Sequence, residues 1–117
     1  MEGLPAGLEI LNILRCESLT SLEGLPDSLK SLEITWCDRL TSLEGLPDGL
    51  KSLMISIDGL TSFEGLPDGL KSLKISWCEN LTSLEGLPEG LENLEIDEHS
   101  RIKLDEKSLK MLEKFGV

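Results

Sequence analysis

The tetrapeptide Glu-Gly-Leu-Pro opens at Glu2, Glu23, Glu44, Glu64 and Glu85, with spacings of 21, 21, 20 and 21 residues. A near-constant period of this size excludes most globular folds. One supersecondary unit repeats, and each unit must bury its apolar side against the next. The frame inside a unit is L-x-x-L-x-I-x-x-C-x-x-L-x-x-L, filled in the second unit by Leu29, Leu32, Ile34, Cys37, Leu40 and Leu43. The third unit is one residue short. Read forward from its leucines it runs Leu50, Leu53, Ile55, Asp58, Leu60, with Asp58 at the cysteine position.

Alternation of the x-L-x-I-x segment puts Leu and Ile on one side of a strand and their neighbours on the other. It predicts strands at 10–14, 31–35, 52–56, 72–76 and 93–97. The return path, "LTSLEGLPDG", carries two glycines around a proline, which favours turns over a helix. Stacked units then form a parallel sheet with strands ~4.8 Å apart. Residues 105–117, "DEKSLKMLEKFGV", break the frame. They read as a helix capped by Asp105, with Leu104 and Leu109 as a hydrophobic staple, Leu109, Leu112 and Phe115 on one face, and Gly116 as the stop. The expected organisation is a repeat array over 1–104 and a capping helix over 105–117.

The segment "LKSLEITWCDRLTSLEGLP" resembles the leucine-rich-repeat family. Its C-x-x-L ladder is similar to repeats of plant nucleotide-binding immune receptors, and "LTSLEGLPDGLKSL" to the short repeats of bacterial type III effectors. The resemblance covers about residues 2–104. It implies a right-handed superhelical solenoid with the parallel sheet on its concave face, an irregular convex side, and a protein partner bound on the concave face. These 117 residues depart from both groups in showing no nucleotide-binding or ubiquitin-ligase motif. Near-identical neighbouring units also fit a duplicated or designed array with no native ligand.

Acids outnumber bases 22 to 11, a net charge of -11, which argues against nucleic acid and anionic membranes as partners. No apolar run approaches the ~20 residues of a membrane span. The start, "MEGLPAGLEI", shows no secretory leader, and three cysteines without one predict reduced thiols and a cytoplasmic setting. The sequon "NLT" at 80–82 is then a chance match.

The column Cys16, Cys37, Asp58, Cys78, His99 contains metal-ligating residue types. Its members lie in successive units, and Cys37 and Cys78 would be ~10 Å apart, too far to share an ion. It reads as a buried ladder bonding the turn backbone, so no metal or cofactor is expected. The column of Glu2, Glu23, Glu44, Glu64 and Glu85 reads as a solvated face, partly neutralised by Lys30, Lys51 and Lys71. No residues are grouped for catalysis, and the chain is not expected to be an enzyme.

What varies between units is the outward face. The position after each strand reads Arg15, Trp36, Ile57, Trp77, Glu98, and mid-strand outward positions include Asn12, Glu33, Met54, Lys74 and Glu95. Trp is enriched at binding hot spots. The expected partner-binding residues are therefore Arg15, Trp36, Met54, Ile57, Lys74 and Trp77, the alternative being rim packing of the two tryptophans. On the first strand, outward Ile10 and Leu14 are more apolar than the serines and threonine at equivalent positions later in the chain, and together with Asn12 predict a self-association edge leading to a homodimer.

Overall fold

The computed structural model describes residues 7–16, 18–37, 39–60, 63, 65–88, 90–101 and 103–114. The chain is a solenoid of five coils. Each contributes one strand: β1 (Ile10–Leu14), β2 (Ser31–Thr35), β3 (Ser52–Ser56), β4 (Ser72–Ile75) and β5 (Asn93–Ile96). They form a parallel sheet in sequence order. The register follows the repeat, with Leu11↔Leu32↔Leu53↔Leu73↔Leu94 and Ile13↔Ile34↔Ile55↔Ile75↔Ile96 in two inward rows. The last two strands are one residue shorter than the repeat predicts.

The core is a leucine column. Leu29, Leu40, Leu43, Leu50, Leu70, Leu81 and Leu84 are fully buried along the turns and the return path, and Phe63 fills the Leu43 position of the third coil. Full burial of such a side chain contributes about 1.5–3 kcal/mol, and most of it comes from neighbouring coils. Main-chain bonds tie the coils together between strands. One carbonyl in each coil accepts from two consecutive N–H groups of the next: Glu9 O from Lys30 and Ser31, and Lys30 O from Lys51 and Ser52.

The return path is built from two local devices. A serine hydroxyl accepts the N–H of the Glu two residues on, at Ser21–Glu23, Ser42–Glu44 and Ser83–Glu85, between 3.0 and 3.2 Å. The following glycine then takes a left-handed conformation, with φ between 92° and 98° at Gly24, Gly45, Gly65 and Gly86. This is why Glu-Gly-Leu-Pro is the part of the repeat that does not vary.

The fifth coil ends in a short 3-10 turn, His99–Arg101, followed by α1 (Glu106–Lys114). Asp105 caps α1, its Oδ1 accepting the Ser108 N–H at 2.8 Å, as the sequence predicts. The buried face differs from the expected one. Ser108 and Leu112 are turned inward, whereas Leu109 is 42% exposed. Phe115 and Gly116 lie outside the described residues, as do Met1 to Ala6.

The inward serine has a reason. In the third coil, Phe63 N–H donates to Glu85 O of the next coil. Leu84 is the equivalent residue one coil on, and its N–H donates to Ser108 Oγ at 2.8 Å. Asp105 N–H in turn donates to Thr82 O. The helix thus supplies polar groups where a further coil would have supplied main chain.

Candidate partner-binding face

The turn after each strand decides what the outer face presents. In coils one, two and four, two residues separate the inward Ile from the inward Cys: Leu14–Arg15, Thr35–Trp36 and Ser76–Trp77. Strict alternation cannot hold across two outward residues. The second of each pair breaks it by entering the left-handed region, with φ of 55° at Arg15 and 56° at Trp36 and Trp77. That conformation costs a bulky L-residue roughly 1–2 kcal/mol. It lifts Arg15, Trp36 and Trp77 to the surface, where the tryptophans are 52% and 46% exposed.

The third coil is different, and here the structure corrects the sequence reading. Only Ser56 separates Ile55 from the next inward residue, so alternation continues and that residue is Ile57, 1% exposed. Leu60 N–H donates to Ile57 O, as Leu19, Leu40 and Leu81 donate to Cys16, Cys37 and Cys78. Ile57 therefore occupies the ladder position, and Asp58 is an exposed turn residue. Ile57 does not stand in the tryptophan column and presents nothing to a partner. The residue missing from the short coil is the counterpart of Trp36 and Trp77.

The ladder is as expected at Cys37 and Cys78, and less buried than expected at Cys16. Cys37 and Cys78 are fully buried, Cys16 in the first coil is half-buried, and none is in a disulfide. The Cys37 Sγ–H donates to Thr35 O, and that of Cys78 to Ser76 O. Burial, with the charges of Asp97 and Asp58, pushes the Cys78 thiol up to about 11 despite hydrogen bonds from Ile57 and Ser100. Native-state labelling with a thiol reagent should modify Cys16 promptly and Cys37 and Cys78 only slowly, and denaturant should release all three. Prompt labelling of Cys78 would contradict this placement.

His99 is the second correction. It leaves the ladder, and Ser100 goes inward instead, 1% exposed, its Oγ accepting Cys78 N–H at 2.9 Å. The cause is Asp97, whose Oδ1 accepts Ser100 N–H and starts the 3-10 turn, while its Oδ2 accepts Trp77 N–H, each at 3.0 Å. Partial burial raises the Asp97 carboxyl, but hydrogen bonds from Ser100 and Trp77 outweigh it and hold the group below its usual value. The turn swings His99 out to stack on Trp77, with ring centroids 3.9 Å apart and planes 15° from parallel. Spacing alone placed His99 in the core; its stacking role had no signal in the repeat.

The other expected residues are on the outer face. Met54 is half-buried at mid-sheet. Lys74 is exposed and its Nζ lies 3.8 Å from Glu95 Oε2, a solvent-screened pair. A shallow hollow of about 430 Å³ lies across β3, β4 and β5, bordered by Met54, Lys74 and Glu95. At the sheet's edge, Ile10 and Leu14 are 66% and 60% exposed beside exposed Asn12. Among the described residues, no three His, Cys, Asp or Glu gather as a metal site, and no helix is long and apolar enough to cross a membrane.

No family model, curated protein or solved structure matches this chain.

Proposed function

We propose that the protein is a leucine-rich-repeat scaffold that binds a protein or peptide on the outer face of its sheet, without catalysis. The observation that carries this reading is the pair Trp36 and Trp77, held half-exposed by strained left-handed backbone. Such strain persists where the surrounding structure enforces it and is a pointer to function. The non-catalytic part draws support from the two groups best suited to chemistry. The Cys78 thiol is held protonated, and the His99 ring is stacked on Trp77. Three thiols outside disulfides fit a reducing, cytoplasmic setting.

The test compares proteins captured by the parent chain with those captured by the Trp36→Ser/Trp77→Ser double variant, after circular dichroism shows both folded. A set of proteins retained by the parent and lost by the variant is expected. Identical sets, or none with either, would favour an array with no native ligand.

The edge of β1 is proposed as a second contact, made with another copy of the chain. It is an edge strand, and no described residue pairs with its outer side. Two exposed apolar residues on such a strand invite strand pairing, and a two-fold dimer closes the contact. The charge of -11 opposes it, so salt should strengthen it. Sedimentation at micromolar concentration should show a dimer that Leu14→Lys dissolves and Ser76→Lys does not. A monomer at both low and high salt would refute the contact.

A further inference from the structure

The tryptophan column has a vacancy, and we infer that it takes an arginine side chain of a basic partner segment, stacked between Trp36 and Trp77 and paired with Asp58. This inference rests on the protein-binding reading of the outer face and names the chemistry recognised there.

The vacancy follows from the register. Trp36 and Trp77 occupy equivalent positions in coils two and four, and coil three lacks the residue between them because Ile57 has turned inward. The two positions are therefore two strand spacings apart, ~9.6 Å. A planar group needs ~3.5–4 Å on each side for van der Waals contact, so the interval admits one planar layer and not two. Trp77 is already half of a stack. His99, from coil five, covers one of its faces at 3.9 Å. We take the uncovered face to be the one toward coil three, because His99 comes from coil five on the other side. Ser56, the last outward residue of β3, is 8% exposed and leaves a low floor under the interval.

The charge around the interval selects a cation. Asp58 is exposed in the turn of coil three, and its main-chain carbonyl is fixed by Asn80 Nδ2 at 2.8 Å. Glu79 and Glu98 are exposed in the turns of coils four and five, and Asp97 is anchored under Trp77. Among the described side chains, the basic groups near these turns are Arg15 and Arg39, in coils one and two, and Lys103 of coil five, whose Nζ donates to Asn80 Oδ1 at 3.0 Å. The four acids Asp58, Glu79, Asp97 and Glu98 outnumber that one base around the turns of coils three to five. Guanidinium alone among side chains is planar, permanently charged and able both to stack on aromatic faces and to bind a carboxylate through two N–H groups. An ammonium would satisfy the charge and leave the slot unfilled. A neutral aromatic ring would fill the slot and leave Asp58 unpaired.

The probes are hexa-arginine and hexa-lysine peptides, equal in charge, titrated while the fluorescence of the chain's two tryptophans is followed. The quantity read is the ratio of the two affinities. In the parent chain arginine should be favoured at least about fivefold, within the range of a cation–π contact. Trp36→Ser and Trp77→Ser should each bring the ratio close to one while both peptides still bind through charge. Asp58→Asn should lower the preference without abolishing it. A parent ratio near one, or a preference unchanged in both tryptophan variants, would overturn the inference. Should that happen while the double tryptophan variant still loses captured proteins, the broader binding reading stands and only the arginine assignment falls. Loss of neither would remove both.

Discussion

Gly45→Ala should destabilise the protein by about 3 kcal/mol or more, while Gly49→Ala, four residues away in the same turn, should change it by less than about 0.5 kcal/mol. Gly45 has φ of +98°, and a Cβ there would sit 2.9 Å from Glu23 N and 3.0 Å from Leu22 C. Those are main-chain atoms of the preceding coil and cannot move without separating the stack. Gly65 repeats the geometry one coil on, with 2.8 Å to Glu44 N. A Cβ at Gly49 would meet Lys30 Nζ at 3.3 Å, the free end of a flexible side chain. Coil two already carries Ser28 at the Gly49 position, where its Oγ–H donates to Leu8 O at 2.7 Å. Chemical denaturation of the two variants checks the contrast. Equal losses would mean that the left-handed turn is not what brings the coils together.

Removing the C-terminal cap should have the next largest effect. A chain ending at Leu104 loses α1 and with it the acceptor for Leu84 N–H. It also uncovers the leucines of the last coils, so it should melt well below the parent and aggregate on heating. Ser108→Ala isolates the polar part. Ser108 is 2% exposed, so the substitution leaves a buried N–H without a partner. That costs about 1–3 kcal/mol, or roughly 3–6 °C of melting temperature per kcal/mol in a domain of this size. Parent-like melting of the truncated chain would show that α1 decorates the solenoid without stabilising it. A parent-like Ser108→Ala would show that water can replace the hydroxyl.

Much of this architecture is legible in the repeat. Strands at 10–14, 31–35 and 52–56 coincide with β1, β2 and β3, because a parallel stack fixes every coil once one is read. Asp105 is legible as a helix cap because capping is local chemistry. The misreadings all sit where the repeat is interrupted. In the short coil the deletion could be placed before or after the inward residue. Counting forward from Ile55 gave Asp58, whereas counting back three from Leu60, as from Leu40 to Cys37, gives Ile57. Alternation through Ile55-Ser56-Ile57 carried the same signal. Apolarity puts Leu109 inward, but the buried position goes to Ser108, whose task depends on the Leu84 N–H, 24 residues and about one coil away. His99 followed the repeat until Asp97 diverted it into a turn, a competition between side-chain capping and ladder geometry that spacing cannot express.

The same deletion shapes the proposed binding face, which therefore depends on where the residue is missing, and one pair of insertions tests that position. A serine inserted between Ser56 and Ile57 restores the two-residue spacing found at Thr35–Trp36 before Cys37. That variant should fold and melt within a few degrees of the parent, an expected change of less than about 1 kcal/mol. A serine inserted between Asp58 and Gly59 lengthens the segment that joins Ile57 to Leu60, where each of the first four coils keeps a main-chain bond of the same span. That variant should melt markedly lower. The melting temperatures of the two insertions, taken side by side, decide the matter. The reverse order, with the second insertion tolerated and the first damaging, would return Asp58 to the ladder and close the vacancy between Trp36 and Trp77.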